Sequence, residues 1–321
     1  MVDRTPSGTR DVLPDEMREL RALTERVRTV FERAGYGEIY TPALEYERTF
    51  ERDGSQVGSP YRLFDEHGNV LVLRSDMTVP IARLVGSRYP TAPTPLRFCY
   101  FAHAYRGVRP QRGQSREFMQ AGVELIGAPG AEGTAEALTV LCGALDAAGL
   151  RNYRVGVGDV TLYPTLLESL GIDADERELI LDELATGDFV GVERELARLP
   201  LSDADAELLL KVPRIRGGGE VLADLDGPLQ QAGTGMHALL GLLEPQVAAR
   251  VIFDFGLVRS LGYYTGAVFQ VYDPAYGMPL GSGGRYDELL GGFGRPLPAV
   301  GFALDVERLH IALRAEERRG V

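Results

Sequence analysis

The chain has 321 residues, of which 45% are hydrophobic and 25% charged, a balance typical of soluble globular domains. Its formal net charge of -12 argues against a broad nucleic-acid surface, because phosphates are bound by clustered Lys and Arg. The N-terminus lacks an apolar core and no apolar run approaches the ~20 residues of a membrane span, so we expect neither a secretion signal nor a membrane anchor.

The reactive residue types exclude several chemistries. Lys211 is the only lysine, so a Walker P-loop or a Schiff base would need that residue. The four histidines stand singly in the sequence, at His67, His103, His237 and His310. We therefore expect no zinc site, no Ser-His-Asp triad and no metal or other cofactor. Cys99 and Cys142 stand in apolar surroundings, typical of buried thiols in a reducing compartment, which predicts a cytoplasmic protein.

The first elements follow from apolar spacing and from proline and glycine. Apolar residues at steps of three and four predict an amphipathic helix over residues 15–34, with Pro14 near its start and Gly35 after its end. Residues 36–45 predict a short strand stopped by Pro42, since proline cannot donate into a sheet ladder.

A hairpin is predicted next. Residues 63–78 predict two strands that turn at residues 67–69, His-Gly-Asn, and a helix follows from Val79 to about Val85. Residues 96–103 predict a second strong strand, which continues into an arginine-rich loop at residues 105–116.

The strand that returns from this loop, residues 117–127, has two unlike faces. One face is wholly apolar and carries Met119, Ala121, Val123 and Leu125. The other face carries Phe118, Gln120, Gly122 and Glu124. Such a face is either solvated or the floor of a polar cleft. The arginine-rich loop and the phenylalanine favour the cleft.

In the second half of the chain the sequence pattern changes from strand-like to helical and back again. Residues 133–148 predict a helix, and residues 161–249 are rich in Leu, Ala and acids, which predicts a small helical insertion. Strand-like sequence resumes at Arg250. Residues 277–309 predict a glycine-rich turn, a short strand PAVGFA and a helix from Asp305.

These elements predict the fold class and three segments. Successive strands form hairpins along the chain and do not alternate regularly with helices. This predicts an α+β protein with an antiparallel sheet flanked by helices. We predict a first core segment at residues 1–160, the helical insertion at 161–249 and a second core segment at 250–321.

One stretch, FDFGLVRSLGYYTGAVFQVY, combines strand-forming residues with a single cation, Arg259, and the pair Tyr263-Tyr264. Its glycines break it into two short extended pieces around a bend. A half-buried guanidinium needs an acceptor, and a small-molecule carboxylate would fit its fork bidentately. The alternative is a core strand with a structural Arg–carboxylate pair, and these residues alone favour that alternative.

Several co-linear motifs resemble the core of class II aminoacyl-tRNA synthetases, specifically histidyl-tRNA synthetase. RSLGYYTGAVF resembles that enzyme's histidine-binding signature, and GSGGRYDELL with PAVGFALDVERL resembles its second histidine motif and motif 3. GYGEIYTPALE resembles motif 1, and the strand–loop–strand from Phe98 to Glu124 resembles motif 2. Together the motifs cover nearly the whole chain apart from the helical insertion.

The departures from that enzyme alter the implied function. Val108 stands where the synthetase has the carboxylate that reads adenine, and Gln114 stands where it has a second ATP-contacting arginine. Arg106, Phe118 and Arg308 still match nucleotide-site positions, which implies a vestigial nucleotide site. The sequence ends at residue 321, soon after motif 3, where the synthetase continues into an anticodon-binding domain.

The resemblance implies a histidine site. The matching positions are Asp76 (in place of the usual Glu), Thr78, Gln120, Glu124, Arg259, Tyr263 and Tyr264. A chain that keeps the amino-acid-binding residues but has lost nucleotide-binding residues resembles the regulatory-subunit family of short-form ATP phosphoribosyltransferase. Membership implies no catalysis, a catalytic partner subunit, histidine as effector, feedback inhibition in histidine biosynthesis and a hetero-octamer. It also implies homodimeric pairing around residues 35–50.

Two other functions stay open at this point. A truncated synthetase-like enzyme could still activate histidine with ATP, which the retained Arg106, Arg259 and Arg308 favour. An RNA-binding module could use the arginine-rich loop 105–116. The acidic net charge and the missing anticodon-binding domain oppose any tRNA partner.

Overall fold

A computed structural model describes residues 4–51, 60–107, 115–223, 225, 227–257 and 262–320. The elements before the predicted insertion are α1 (Pro14–Arg33), β1 (Gly37–Glu38), β2 (Leu44–Tyr46), α2 (Glu47–Glu51), β3 (Arg62–Phe64), β4 (Val70–Leu73), α3 (Thr78–Arg88), β5 (Leu96–Tyr105), β6 (Glu117–Ile126), α4 (Gly130–Ala148) and β7 (Arg154–Asp159). The helix, hairpin and strand predictions for this half are confirmed to within a few residues. The one strand predicted at residues 36–45 is wrong in its continuity, because Pro42 separates two short strands.

The second half begins with helices. They are α5 (Leu162–Ser169), α6 (Ala174–Thr186), α7 (Phe189–Leu196), α8 (Asp203–Lys211), α9 (Gln230–Leu242) and α10 (Pro245–Ala248), with the short strand β8 (Arg216–Gly217) among them. Then follow β9 (Val251–Asp254), β10 (Ala267–Tyr272), β11 (Gly281–Arg285), β12 (Ala299–Asp305) and α11 (Val306–Arg319). Short 3-10 turns lie at Val212–Arg214, Gly219–Leu222, Gly227–Leu229 and Leu289–Phe293.

Within the described ranges, nine strands form the main sheet in the order β1-β5-β6-β12-β11-β10-β7-β9-β8. The β1–β5 and β7–β9 pairs are parallel and every other pair is antiparallel. The predicted α+β class, with a largely antiparallel sheet flanked by helices, is confirmed. Hairpins join β5 to β6 and run from β10 through β11 to β12, whereas the β6–β12 and β7–β10 pairs bring together strands that are far apart in the chain.

The main core lies on one side of this sheet. The apolar face of β6, with Ala121, Val123 and Leu125, packs against α1, α4 and α11. Each fully buried Val or Leu side chain stabilises the fold by roughly 1.5–3 kcal/mol. The opposite face of β6, predicted to be polar, therefore points away from this core, toward α3.

The helices α5–α10 continue the same core rather than building another one. Leu166, Ile180 and Leu209 are buried in one hydrophobic cluster with residues of β6 and β7. The side chains of Asp173, Asp188 and Ser202 accept N-cap hydrogen bonds and so fix where α6, α7 and α8 begin. Since β8 also pairs with β9 in the main sheet, the division into three segments stays a prediction.

One prediction in the C-terminal part of the chain needs correction. The glycine-rich turn predicted from residue 277 is wrong, because GSGGR forms the central strand β11 between β10 and β12. Tyr263 and Tyr264 lie between the strands β9 and β10, outside any strand, in agreement with two extended pieces separated by a bend.

A smaller sheet of three strands, in the order β2-β4-β3, stands beside α3. Its turn is closed by the Asp65 side chain, which accepts hydrogen bonds from the backbone of His67 and Asn69. This confirms the predicted hairpin. Among the residues that the structure describes, no helix is both long and apolar enough to cross a membrane.

Candidate functional site

The candidate site lies on the polar face of the main sheet, where β5, β6, β11 and β12 pass under the start of α3 and the bend at Tyr263-Tyr264. It consists of a narrow cavity and a wide cavity. The narrow cavity measures about 40 Å³ and is lined by Asp76, Met77, Thr78, Tyr100, Arg106, Gln120, Tyr263, Tyr264, Ser282, Tyr286, Gly301, Phe302 and Ala303. The wide cavity measures about 690 Å³ and shares Arg106, Gln120, Ser282 and Ala303 with it. An amino acid is larger than the narrow cavity, so one that binds there extends into the wide cavity.

Glu124 is the most deeply buried acid of the site, with 1% of its surface exposed. Its Oε1 accepts a hydrogen bond from Thr78 Oγ1 at 2.8 Å, and its Oε2 accepts one from the hydroxyl of Tyr286. Burial raises the pKa of Glu124 to about 8, and the charge of nearby Asp76 adds to that rise, while the two hydroxyls oppose it. The sequence did not predict Tyr286, although it lies within the segment that resembles the second histidine motif.

Two glycines make room for these side chains. A Cβ on Gly301 of β12 would lie 1.8 Å from Glu124 Oε2, so only glycine leaves space for the carboxyl. A Cβ on Gly284 of β11 would lie 2.9 Å from the ring of Tyr264. These two glycines therefore let the sheet carry large side chains on this face.

Asp76 lies at the N-terminal end of α3, where unpaired backbone N–H groups favour a negative charge. Its Oδ1 accepts a hydrogen bond from the backbone N–H of Val79 at 3.1 Å, and the Ser75 hydroxyl donates to its Oδ2 at 3.3 Å. The local helix start thus holds one acceptor of the predicted site in place, and Thr78, the first residue of α3, holds Glu124.

Gln120 stands where the two cavities meet. Its side chain is 7% exposed, and within the described residues its Oε1 has no hydrogen-bond partner. A buried amide oxygen without a partner costs about 1–3 kcal/mol. The position therefore favours a ligand that carries an N–H donor.

The two tyrosines close the pocket from the other side. Their ring centroids lie 5.0 Å apart in an edge arrangement, and the ring of Tyr263 lies 5.8 Å from that of Tyr286. Burial raises the pKa of the Tyr263 hydroxyl, and the nearby Thr78 hydroxyl opposes that rise. Five of the predicted residues, Asp76, Thr78, Gln120, Tyr263 and Tyr264, thus line one cavity, and Glu124 is bonded to one of them.

Three residues of the sequence argument lie outside the described residues. They are Arg259, the predicted partner of a carboxylate, together with Val108 and Gln114, which stand at the altered ATP positions. Their roles stay predictions.

The residues predicted for a vestigial nucleotide site, Arg106, Phe118 and Arg308, all line the wide cavity. The Arg106 guanidinium lies 4.9 Å from the ring centroid of Phe118, and its Nε donates to the carbonyl of Ser75 at 3.2 Å. The Arg308 guanidinium is already paired with groups of the protein. Its Nε lies 3.0 Å from Asp305 Oδ2, and its Nη1 donates to the carbonyl of Pro279 at 2.8 Å.

Three carboxyl groups that were not predicted as site residues also line the wide cavity, those of Glu117, Asp305 and Glu307. Burial raises the pKa of Glu307 to about 7, and the neighbouring Asp305 adds to the rise. Burial raises the pKa of Asp305 as well. Negative charge at this place opposes a polyphosphate.

The comparisons with known proteins agree with this architecture. The sequence profile of the family described as Histidyl-tRNA synthetase matches residues 8–309. An ATP phosphoribosyltransferase regulatory subunit from Symbiobacterium thermophilum is 42% identical, covering 99% of this chain and 81% of that relative. One from Moorella thermoacetica is 38% identical, covering 96% of this chain and 81% of the relative.

Solved structures give the same result. A Bacillus halodurans protein described as an ATP phosphoribosyltransferase regulatory subunit/histidyl-tRNA synthetase superposes with a TM-score of 0.89 at 34% identity, covering 98% of this chain and 83% of that chain. A histidyl-tRNA synthetase from Nostoc, at 22% identity and a TM-score of 0.82, shares the fold over all of this chain and 76% of its own. The fold and the site define a class II synthetase-like protein of the histidyl type. Within that class, the chain belongs to the family of ATP phosphoribosyltransferase regulatory subunits.

Proposed function

We propose that this chain is the non-catalytic regulatory subunit of a short-form ATP phosphoribosyltransferase and that it mediates feedback inhibition by histidine. In this proposal it acts in the cytoplasm, in the first step of histidine biosynthesis. The names of its relatives support a regulatory role. The observation that carries the histidine part is the buried Oε1 of Gln120, which has no hydrogen-bond partner among the described residues and lies on the same face of β6 as Glu124.

The polar groups of the site match the three polar ends of histidine. An imidazole in the narrow cavity would meet Glu124 and Tyr264, and the ammonium group would find Gln120, Asp76 and Thr78 around it. Arg259 is the proposed partner of the carboxylate on sequence grounds. Each buried, charge-assisted hydrogen bond contributes roughly 1.5–3 kcal/mol, so a few support micromolar affinity, about -8 kcal/mol, after the costs of association.

The wide cavity supports the absence of catalysis. Transfer through an adenylate requires cations that stay available for phosphates. Arg308 is already engaged by Asp305 and by the carbonyl of Pro279, and Glu307 adds a second acid. The substitutions at Val108 and Gln114 point in the same direction.

The proposed assembly is a hetero-octamer with the catalytic subunit, in which two copies of this chain pair through residues 35–50. The three-stranded sheet supports this pairing, because large apolar side chains on and near it stand exposed. They are Tyr40, Leu44, Tyr46, Leu63 and Phe64. Exposed apolar groups gathered on one small sheet are typical of an interface.

A reconstitution tests the regulatory role. We expect the chain, mixed with the short-form phosphoribosyltransferase of the same source, to raise product formation, and histidine to reverse that rise. An unchanged transferase rate would contradict the proposal.

A synthetase-like enzyme remains the second candidate, since Arg106 and Phe118 form a stacked pair in the wide cavity beside the pocket. Histidine-dependent exchange between ATP and pyrophosphate would support it. The regulatory proposal predicts no exchange above that of a chain-free control.

A further inference from the structure

The setting of Glu124 raises the question of which charge state it has before any ligand arrives. Its carboxyl is 1% exposed, and the groups that touch it directly are hydroxyls, those of Thr78 and Tyr286. A buried carboxylate without a paired cation is costly, and near a second acid it neutralises instead.

The charged and titratable groups around Glu124 come from every neighbouring element. They include Asp76 before α3, Tyr100 on β5, Tyr263 in the bend, Tyr286 after β11 and Arg106 after β5. Arg106 is the cation among these described neighbours. Its interaction is with Asp76 and the Phe118 ring, and its charge is not among the influences on Glu124.

The hydroxyls can serve a neutral acid as well as an anion. A hydroxyl both donates and accepts, so an acid can donate its O–H to one partner and accept from the other. Thr78 lines the same cavity as Tyr263, so its hydroxyl can reorient when the acid turns toward a ligand. The missing side chain of Gly301 is what makes room for Glu124 Oε2.

We propose that Glu124 is a neutral carboxylic acid in the free pocket at neutral pH and that it recognises histidine by donating its O–H to the bare nitrogen of a neutral imidazole. This inference rests on the proposed function for the choice of ligand. The pair holds a single proton between carboxyl and ring, and no proton enters or leaves when it forms near pH 7. The pocket therefore selects a ring that is a hydrogen-bond acceptor, and it weakens once the acid has lost its proton.

The pKa of Glu124, raised to about 8, sets the pH at which the acid loses its proton. Above pH 8, Glu124 of the free pocket is ionised, and histidine binding has to take up a proton from solvent. We expect affinity to fall about tenfold per pH unit in that range, and to stay level between pH 7 and pH 8.

The first test needs no ligand. With ¹³C-labelled glutamate in the full chain, the carboxyl signal that disappears in Glu124→Gln should titrate with a midpoint near 8. A midpoint near the ordinary 4.5 would overturn the inference and leave the histidine pocket intact.

The second test measures protons. Calorimetric titration with histidine in two buffers of different ionisation enthalpy should give no proton exchange at pH 7 and an uptake that approaches one proton at pH 9. The same titration of Glu124→Gln measures the proton uptake by the ligand's own amino group, which is then subtracted from the wild-type value. Glu316 is a buried acid outside both cavities, so Glu316→Gln should behave like the wild type. Uptake of most of a proton at pH 7, or none at pH 9 beyond that of Glu124→Gln, would contradict the proposal. Absence of any histidine binding would overturn both this inference and the histidine part of the proposed function.

Discussion

The narrow and the wide cavity lie side by side on one sheet face, yet they differ in how their polar groups are used. In the narrow cavity the hydrogen-bonding groups surround an acid and leave the Oε1 of Gln120 without a partner among the described residues. In the wide cavity the cation Arg308 is already paired with Asp305, and the acids Glu117 and Glu307 also line the wall. A fold that served two substrates in a synthetase can thus retain one binding site and lose the other, because the two sites share few side chains.

The largest expected effect comes from filling the space beside Glu124. Gly301→Ala places a Cβ 1.8 Å from Glu124 Oε2 and 2.6 Å from the carbonyl of Val123, so we expect histidine affinity to fall at least a hundredfold. Calorimetry at pH 7 measures this. Gly241→Ala, where no atom lies within 4 Å of the new Cβ, should bind histidine as the wild type does. Equal histidine affinities in the two variants would contradict the assignment of the narrow cavity as the histidine site.

Removing the acid itself should have a smaller but clear effect. Glu124→Ala should weaken histidine binding at least tenfold, about 1.4 kcal/mol, because the ring loses its partner. Unchanged affinity would move the effector site elsewhere, for example to the interface with the catalytic subunit. Far-ultraviolet circular dichroism distinguishes lost binding from lost folding.

The free pocket also predicts how stability depends on pH. The pKa of Glu124 is raised to about 8 in the folded chain, against an ordinary value of 4.5. The folded state therefore binds a proton that the unfolded chain has lost. The resulting stabilisation is fully present below about pH 4.5 and is lost as the pH rises toward 8. Within that window the two states differ by one proton, so we expect a loss of about 1.4 kcal/mol per pH unit, tenfold in the unfolding equilibrium. Urea unfolding at several pH values should show this slope in the wild type and a smaller one in Glu124→Gln. Equal slopes would contradict the burial of a neutral acid.

Sequence patterns predicted the site residues on β6 better than those on β11 and just after it. The alternation along residues 117–127 separated the apolar face from the face of Gln120 and Glu124, because both faces of that strand carry side chains. No such alternation exists in GSGGR, so β11 was predicted as a turn. Tyr286 was missed because its partner Glu124 lies 162 residues away, and only the strand order of the sheet brings them together.

The smallest expected effect concerns the wide cavity. Asp305→Asn removes a charge but keeps the N-cap of α11, since Asn also accepts from the backbone N–H of Arg308. Histidine affinity should change less than twofold, while ATP binding, followed by calorimetry, should tighten by up to tenfold as repulsion falls. If ATP bound tightly to the wild type already, the two cavities would be alike and the contrast between them would be lost.

The most direct measurement of the central claim is histidine inhibition of the reconstituted transferase. We predict that complexes built with the wild-type chain and with Gly301→Ala, which fills the space beside Glu124 Oε2, are equally active without histidine. Only the wild-type complex should be inhibited when histidine is added at concentrations that saturate its pocket. Equal inhibition of both complexes would contradict the account, because the effector would then act outside the pocket around Glu124.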